Sequence, residues 1–155
     1  MIAAELSAAD PANAAAYAAN AAAADAGIAA LDTALAARLK TVADRPFTVF
    51  HDAYGYFERR FGLRPVGAIT LSDAARPGPR HLAELREAAR AGDIACILTD
   101  PQSGSAWADL VGESGDIRVV EADPMGSDLP PGPDLYPATL RALADAMVDC
   151  LSPEE

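Results

Sequence analysis

The groups in this sequence best placed to do chemistry are one histidine and several carboxylates, each standing at or shortly after the end of a short apolar run. His51 follows Phe47-Thr48-Val49-Phe50, Ser72 and Asp73 follow the run 64–71, Asp100 follows 94–98, and Asp123 follows 117–120. Short apolar, β-branched or aromatic runs between turn formers read as buried strands. If the four runs lie side by side in one parallel sheet, these polar groups collect at its carboxyl edge, where open α/β sheets bind ligands. Imidazole and carboxylate together are a donor set for a divalent transition metal. Each group also has a plainer role: His51 as a cap or core histidine, Asp100-Pro101 and Asp123-Pro124 as Asp-Pro turns. His81, the second histidine, opens a helix beyond a loop and reads as a solvated surface residue.

The elements that must position these groups alternate along the chain. Strand 47–50 leads to a helix over 53–61 closed by Gly62, and strand 64–71 leads through loop 72–79 to an amphipathic helix over 81–91. Leu82, Leu85, Ala88 and Ala89 share one side of that helix. The continuous run 94–98 has the pattern of a strand buried on both faces. A helix over 103–112, a strand over 117–120, a turn-rich stretch over 123–133 and a last helix over 136–151 complete the series. Strands alternating with helices imply βαβ units, hence an α/β fold with a four-stranded parallel sheet flanked by helices. Trp107, Tyr54 and Tyr56 are assigned to core or interface.

Ahead of these elements the sequence reads as helix. Met1 to Ala9 has the character of a helix tail, and Asp10-Pro11 restarts the helix, because Asp is a favoured N-cap and Pro at the first helical position loses no intrahelical bond. Alanine, the best helix former, then dominates to about Leu39. Its larger apolar residues, Tyr17, Ile28, Leu31, Leu35 and Leu39, form a single narrow stripe. Roughly 29 residues at ~1.5 Å each make a rod of about 43 Å, longer than a domain of this length is wide. Such a rod spans two lobes or joins a bundle.

Composition narrows the function classes. The chain has 155 residues, one domain's worth, and carries a formal charge of −11. That excess of acid argues against nucleic acid or an anionic membrane as partner, since both need clustered Lys and Arg. No apolar run approaches a membrane span, and Met1-Ile2-Ala3-Ala4-Glu5-Leu6 is not a signal peptide, so the sequence taken literally stays in the cytoplasm. The two cysteines, Cys96 in the third strand and Cys150 in the last helix, lack the short spacing of a zinc knuckle or redox pair. They are either packed neighbours joined in a disulfide, which needs an oxidising compartment, or two buried thiols. Phosphate-binding glycine loops and a Gly-x-Ser-x-Gly elbow are absent, and Ser103-Gly104-Ser105 is only a faint phosphate nest. Ser103 or Ser105 as a nucleophile would need His51 as its base, and nothing in the sequence supports that, so the expectation is that the chain is not an enzyme.

The run Phe50-His51-Asp52-Ala53-Tyr54-Gly55-Tyr56-Phe57 with Phe61-Gly62-Leu63 resembles the periplasmic zinc-binding proteins of ABC-type zinc uptake systems, in the cluster A-I metal-binding family. Pro77-Gly78, Cys96, Asp100-Pro101-Gln102, Asp123-Pro124-Met125-Gly126, Cys150 and the opening Asp10-Pro11 segment extend the resemblance over nearly the whole chain. It implies a long interlobe backbone helix over 1–40 and a C-terminal α/β metal-binding lobe over 41–155. It also implies His51 as a zinc ligand, Asp123 at the position of a carboxylate ligand frequent in manganese-binding relatives, and Cys96 joined to Cys150. Asp100 stands where some zinc-binding relatives have glutamate.

The function so implied is that of the C-terminal half of a periplasmic solute-binding protein that captures zinc and delivers it to an ABC permease. The family's further ligands come from an N-terminal lobe missing from this sequence, so zinc is expected to bind weakly or not at all. A homodimer through the exposed lobe face, bringing two copies of His51 together, is a further expectation, and a free-standing α/β interaction module without metal transport is the rival reading. Because a ligand position contributes little to an apo core, His51→Ala is expected to leave the melting temperature nearly unchanged.

Overall fold

A computed structural model of the chain describes residues 1–70, 77–103 and 106–153. It divides into two compact units, Met1–Ala34 and Leu35–Glu155.

The first unit is helical. Helix α1 spans Ile2–Ala9, a 3₁₀ turn spans Pro11–Asn13, and α2 runs from Ala14 to Leu39, through the division between units. The helix thus restarts at Asp10-Pro11, but Asp10 does not cap it with its side chain. Its carboxylate instead accepts the Asn13 amide at 2.7 Å and the Tyr17 hydroxyl at 3.0 Å. Two side-chain donors within reach replace the backbone donor that an N-cap normally satisfies.

The second unit alternates as the pattern requires. Strand β1 is Pro46–His51, helix α3 Gly55–Phe61, β2 Arg64–Thr70, α4 Pro79–Ala91 and β3 Cys96–Thr99. Helix α5 is Ala106–Gly112, β4 Arg118–Glu121 and α6 Leu135–Leu151. All strands are parallel, in the order β2-β1-β3-β4. Several boundaries move. Helix α4 begins at Pro79, two residues earlier than its apolar pattern suggests, because proline is preorganised for the first helical position. Strand β3 begins at Cys96, since Ile94, though buried, precedes the β3–β4 ladder. Leu71, Ser72 and Asp73, expected at the end of β2, lie outside the described residues.

The core follows from alternation along β1 and β3. Ile97 and Phe50 belong to a buried cluster with Ile69, Leu85 and Ala89 of α4, and Ala108 and Val111 of α5. Cys96, one residue from Ile97, bonds to Cys150 of α6. Neighbouring strand residues point to opposite faces, so α4 and α5 cover one face of the sheet and α6 the other. On the edge strand β2, Pro65 donates no ladder bond, and a bulge lets Thr48 pair with Gly67 rather than Val66. The Thr48 hydroxyl donates to the Gly67 carbonyl at 2.8 Å, completing the irregular pairing.

Helix α3 carries one costly group. Glu58 is only 7% exposed. Burial, and secondarily the charge of Asp52, push its carboxyl above its ordinary value, with Arg59 opposing. An acid whose folded pKa is raised binds protons more readily in the native state. Its penalty is therefore absent below the ordinary value of 4.5 and grows as pH rises through the folded pKa. Glu58→Gln should accordingly raise the melting temperature by about 2–3 °C at pH 7.5 and by nothing below pH 4, in a pH series of thermal melts. An equal gain at both pH values would remove the titration argument.

Candidate metal site

The β1–β3 ladder sets the site. Thr48 pairs with Ile97 and Val49 with Leu98, so the same register carried two residues further places His51 level with Asp100. The contact forms: His51 Nδ1 lies 2.8 Å from Asp100 Oδ2, with the histidine side chain 19% exposed and the aspartate 1%. An ionised carboxylate only accepts, so the His51 Nδ1–H donates to Asp100. The lone pair of a neutral imidazole is then carried by Nε2, the nitrogen on the far side of the ring.

Asp100 is itself fixed from both oxygens. The Gln102 N–H donates to Oδ1 at 3.0 Å and the Ser103 hydroxyl to Oδ2 at 2.7 Å. The Asp-Pro turn read from the sequence is therefore present, and the same turn holds the carboxylate that aims His51. Ser103 Oγ also approaches His51, at 3.5 Å, but from Nδ1, the nitrogen that Asp100 engages. In a Ser-His-Asp triad the serine and the carboxylate use opposite ring nitrogens. Ser103 serves here as a donor to Asp100.

Asp123 follows β4, and its backbone origin is held by Ala122. The Ala122 N–H donates to the Thr99 carbonyl at 2.8 Å, while the Tyr54 hydroxyl donates to the Ala122 carbonyl at 2.7 Å. The Asp123 carboxylate accepts the Met125 N–H at 2.8 Å on one oxygen and the Ser127 N–H on the other. Burial nudges its carboxyl upward, but the amide bonds from Met125 and Ser127 outweigh it and pull the group below its ordinary value. Gly126 makes this loop possible: its φ is +65°, and a Cβ there would collide with the Thr139 hydroxyl. Each carboxylate oxygen keeps a lone pair after accepting one bond, so Asp123 remains an anionic donor.

Of the groups singled out in the sequence, the structure brings His51 and Asp100 into direct contact and places Asp123 at the end of the adjoining strand. Ser72 and Asp73 lie outside the described residues. His81 is exposed at the start of α4, a ring nitrogen 2.8 Å from the Ala68 carbonyl. Tyr54 is buried, but Tyr56 is 88% exposed and stacks under Arg59 rather than entering the core. Tyr54 is the residue the motif reading undervalued: burial, then the charges of Asp100, Asp123 and Glu58, push its hydroxyl pKa up. Among the described residues no three His, Cys, Asp or Glu side chains come close enough to hold a metal ion by themselves.

A family model described as "Zinc-uptake complex component A periplasmic", ZnuA, matches residues 1–150. The chain belongs to the ZnuA family. It is 40% identical over 151 residues to the high-affinity zinc uptake system protein ZnuA of Brucella suis, covering 97% of this chain and 45% of that protein. ZnuA of Paracoccus denitrificans is likewise 40% identical, with 46% of its length covered. A crystal structure of ZnuA superposes with a TM-score of 0.82 at 26% identity, over 97% of this chain and 56% of that one. The laminin-binding adhesin of Streptococcus agalactiae, described as having adhesin and metal-transporting activity, gives 0.81 at 26% identity, over 97% and 58%. The chain thus spans about half the length of the ZnuA relatives it matches. The resemblance read from the histidine motif and the two cysteines is that of the family found, and the α/β fold with its long N-terminal helix is the fold of its structural neighbours.

Proposed function

We propose that this chain contributes one face of a zinc-capture site in a periplasmic solute-binding protein that delivers zinc to an ABC-type importer, with His51 and Asp123 as ligands. The observation that carries the reading is the buried Asp100 accepting from His51 Nδ1. A ligating histidine characteristically donates its other N–H to a carboxylate, which fixes the tautomer and raises the basicity of the ligating nitrogen. Zinc takes three or four protein ligands, and this chain offers an imidazole and a carboxylate. The remaining ligands then come from outside the described residues, from further chain or from a second copy.

The periplasm suits both the family and the bond between Cys96 and Cys150, because disulfides persist in oxidising compartments. Capture needs no covalent step. A hydrated zinc ion exchanges waters for Nε2 of His51 and an oxygen of Asp123, while Asp100 keeps the ring from rotating away.

The test is a calorimetric zinc titration of this chain, with manganese in parallel and oligomeric state followed alongside. Binding that disappears with His51→Ala supports the reading, and one zinc per two chains assigns the missing ligands to a second copy. Zinc binding indifferent to His51→Ala overturns it, and no binding by folded protein favours an interaction module instead. Asp100→Ala should weaken zinc by about 10–100-fold, the usual effect of removing a carboxylate behind a ligating histidine. An unchanged affinity in the same titration would reduce Asp100 to a turn former.

A further inference from the structure

We infer that Tyr54 is the positioning residue that sets the separation of His51 and Asp123, and that it does so by gripping the Ala122 carbonyl; this rests on the zinc-site reading above. Tyr54 stands three residues after His51, at the N-terminus of α3, and is 3% exposed. Its hydroxyl reaches Ala122, 68 residues away in the chain and adjacent to Asp123. In the sheet order β3 lies between β1 and β4, so with strands about 4.8 Å apart the two putting forward His51 and Asp123 are separated by about 10 Å. The tyrosine crosses that gap over the end of β3.

Both sides of the Ala122 residue are held, by Thr99 from β3 and by Tyr54 from the β1–α3 corner. Without the hydroxyl, Ala122 stays tied to β3 but loses its link to the corner that carries His51. Asp123 on one side and His51 on the other would then keep their own local anchors and lose their mutual one. A metal that needs both donors at fixed distances feels that loss, whereas the fold keeps the packing of the ring and loses one hydrogen bond, a drop of a few degrees in melting temperature. Phenylalanine keeps the ring and removes only the grip.

The experiment is a double-mutant cycle on zinc affinity at 20 °C with Tyr54→Phe, Asp123→Ala and the pair, beside Ile94→Val as a core control and His51→Ala as a control on the zinc site. The expected result is about fivefold weaker zinc binding for Tyr54→Phe, the scale of one hydrogen bond. Tyr54→Phe should add almost nothing once Asp123→Ala is present, because the tyrosine acts through Asp123. Ile94→Val, in the same buried cluster but just before the amino end of β3, should lower the melting temperature and leave the affinity alone. Independent, additive effects of the two substitutions, or a melting-temperature loss for Tyr54→Phe with unchanged affinity, would overturn the inference while leaving the zinc reading intact. Affinity indifferent to His51→Ala would instead remove the zinc reading and this inference with it.

Discussion

Replacing His51 by alanine should weaken zinc binding at least 100-fold, to the edge of detection by calorimetry, while the protein stays folded. The affinity loss follows from the donor count. With an imidazole and one carboxylate offered by the described residues, removing the imidazole leaves Asp123, a single oxygen ligand that also ties its own loop. Zinc prefers nitrogen and sulfur donors to a lone carboxylate. The expectation of an unchanged melting temperature, reached from sequence, must be revised on structural grounds. Asp100 is 1% exposed and loses one of its three donors in the variant. An underserved buried carboxylate costs about 1–3 kcal/mol, which for a chain of this size is a drop of roughly 3–9 °C. Measuring affinity well below that transition separates the two effects. A variant that retained zinc binding would show that His51 is a core histidine held by Asp100 for packing alone.

What the sequence revealed and what it hid divide along a physical line. Strands β1 and β3 were legible because Phe47 to Phe50 and Ile94 to Leu98 are apolar runs, and apolar runs report burial directly. Helix α3 was legible through Gly62, whose φ of +67° closes it. The convergence of His51, Asp100 and Asp123 on one sheet edge was legible too, because it requires only that the strands be parallel. The pairing of His51 with Asp100 was not. It depends on a register of forty-nine positions between two strands, and nothing local to either residue encodes that offset. Tyr54 was hidden for the same reason: aromatic residues are usually spent on packing, and its hydroxyl partner, Ala122, lies just past the end of β4, two strands from β1 in the sheet. The pairing of Cys96 with Cys150 was open on the spacing alone, but the family resemblance implied it, and the structure forms it.

Removing the Cys96–Cys150 bond should produce the largest loss of stability among these variants. The two Cα atoms are 5.5 Å apart across 54 positions of sequence. In the chain-entropy account, closing a loop of that length withdraws freedom from the unfolded chain worth about 4 kcal/mol, or roughly 8–16 °C in melting temperature at this size. The bond also occupies a particular place, since Cys96 and Cys150 are almost wholly buried and join β3 to α6. The appropriate variant is the double Cys96→Ala/Cys150→Ala, which leaves no buried thiol or hydroxyl, compared by thermal melts with the oxidised protein, whose bond is verified by non-reducing mass spectrometry. Because Cys96 opens β3 at the amino end and Asp100 follows that strand at the other, zinc affinity measured below the transition should change little. A loss of less than about 3 °C would mean that the unfolded chain is already constrained without the bond, by residual structure between β3 and α6, and the entropic account would fail. A large loss of affinity with the fold intact would mean that α6 transmits its position through β3 to the Asp100–His51 pair, making the bond part of the site's support.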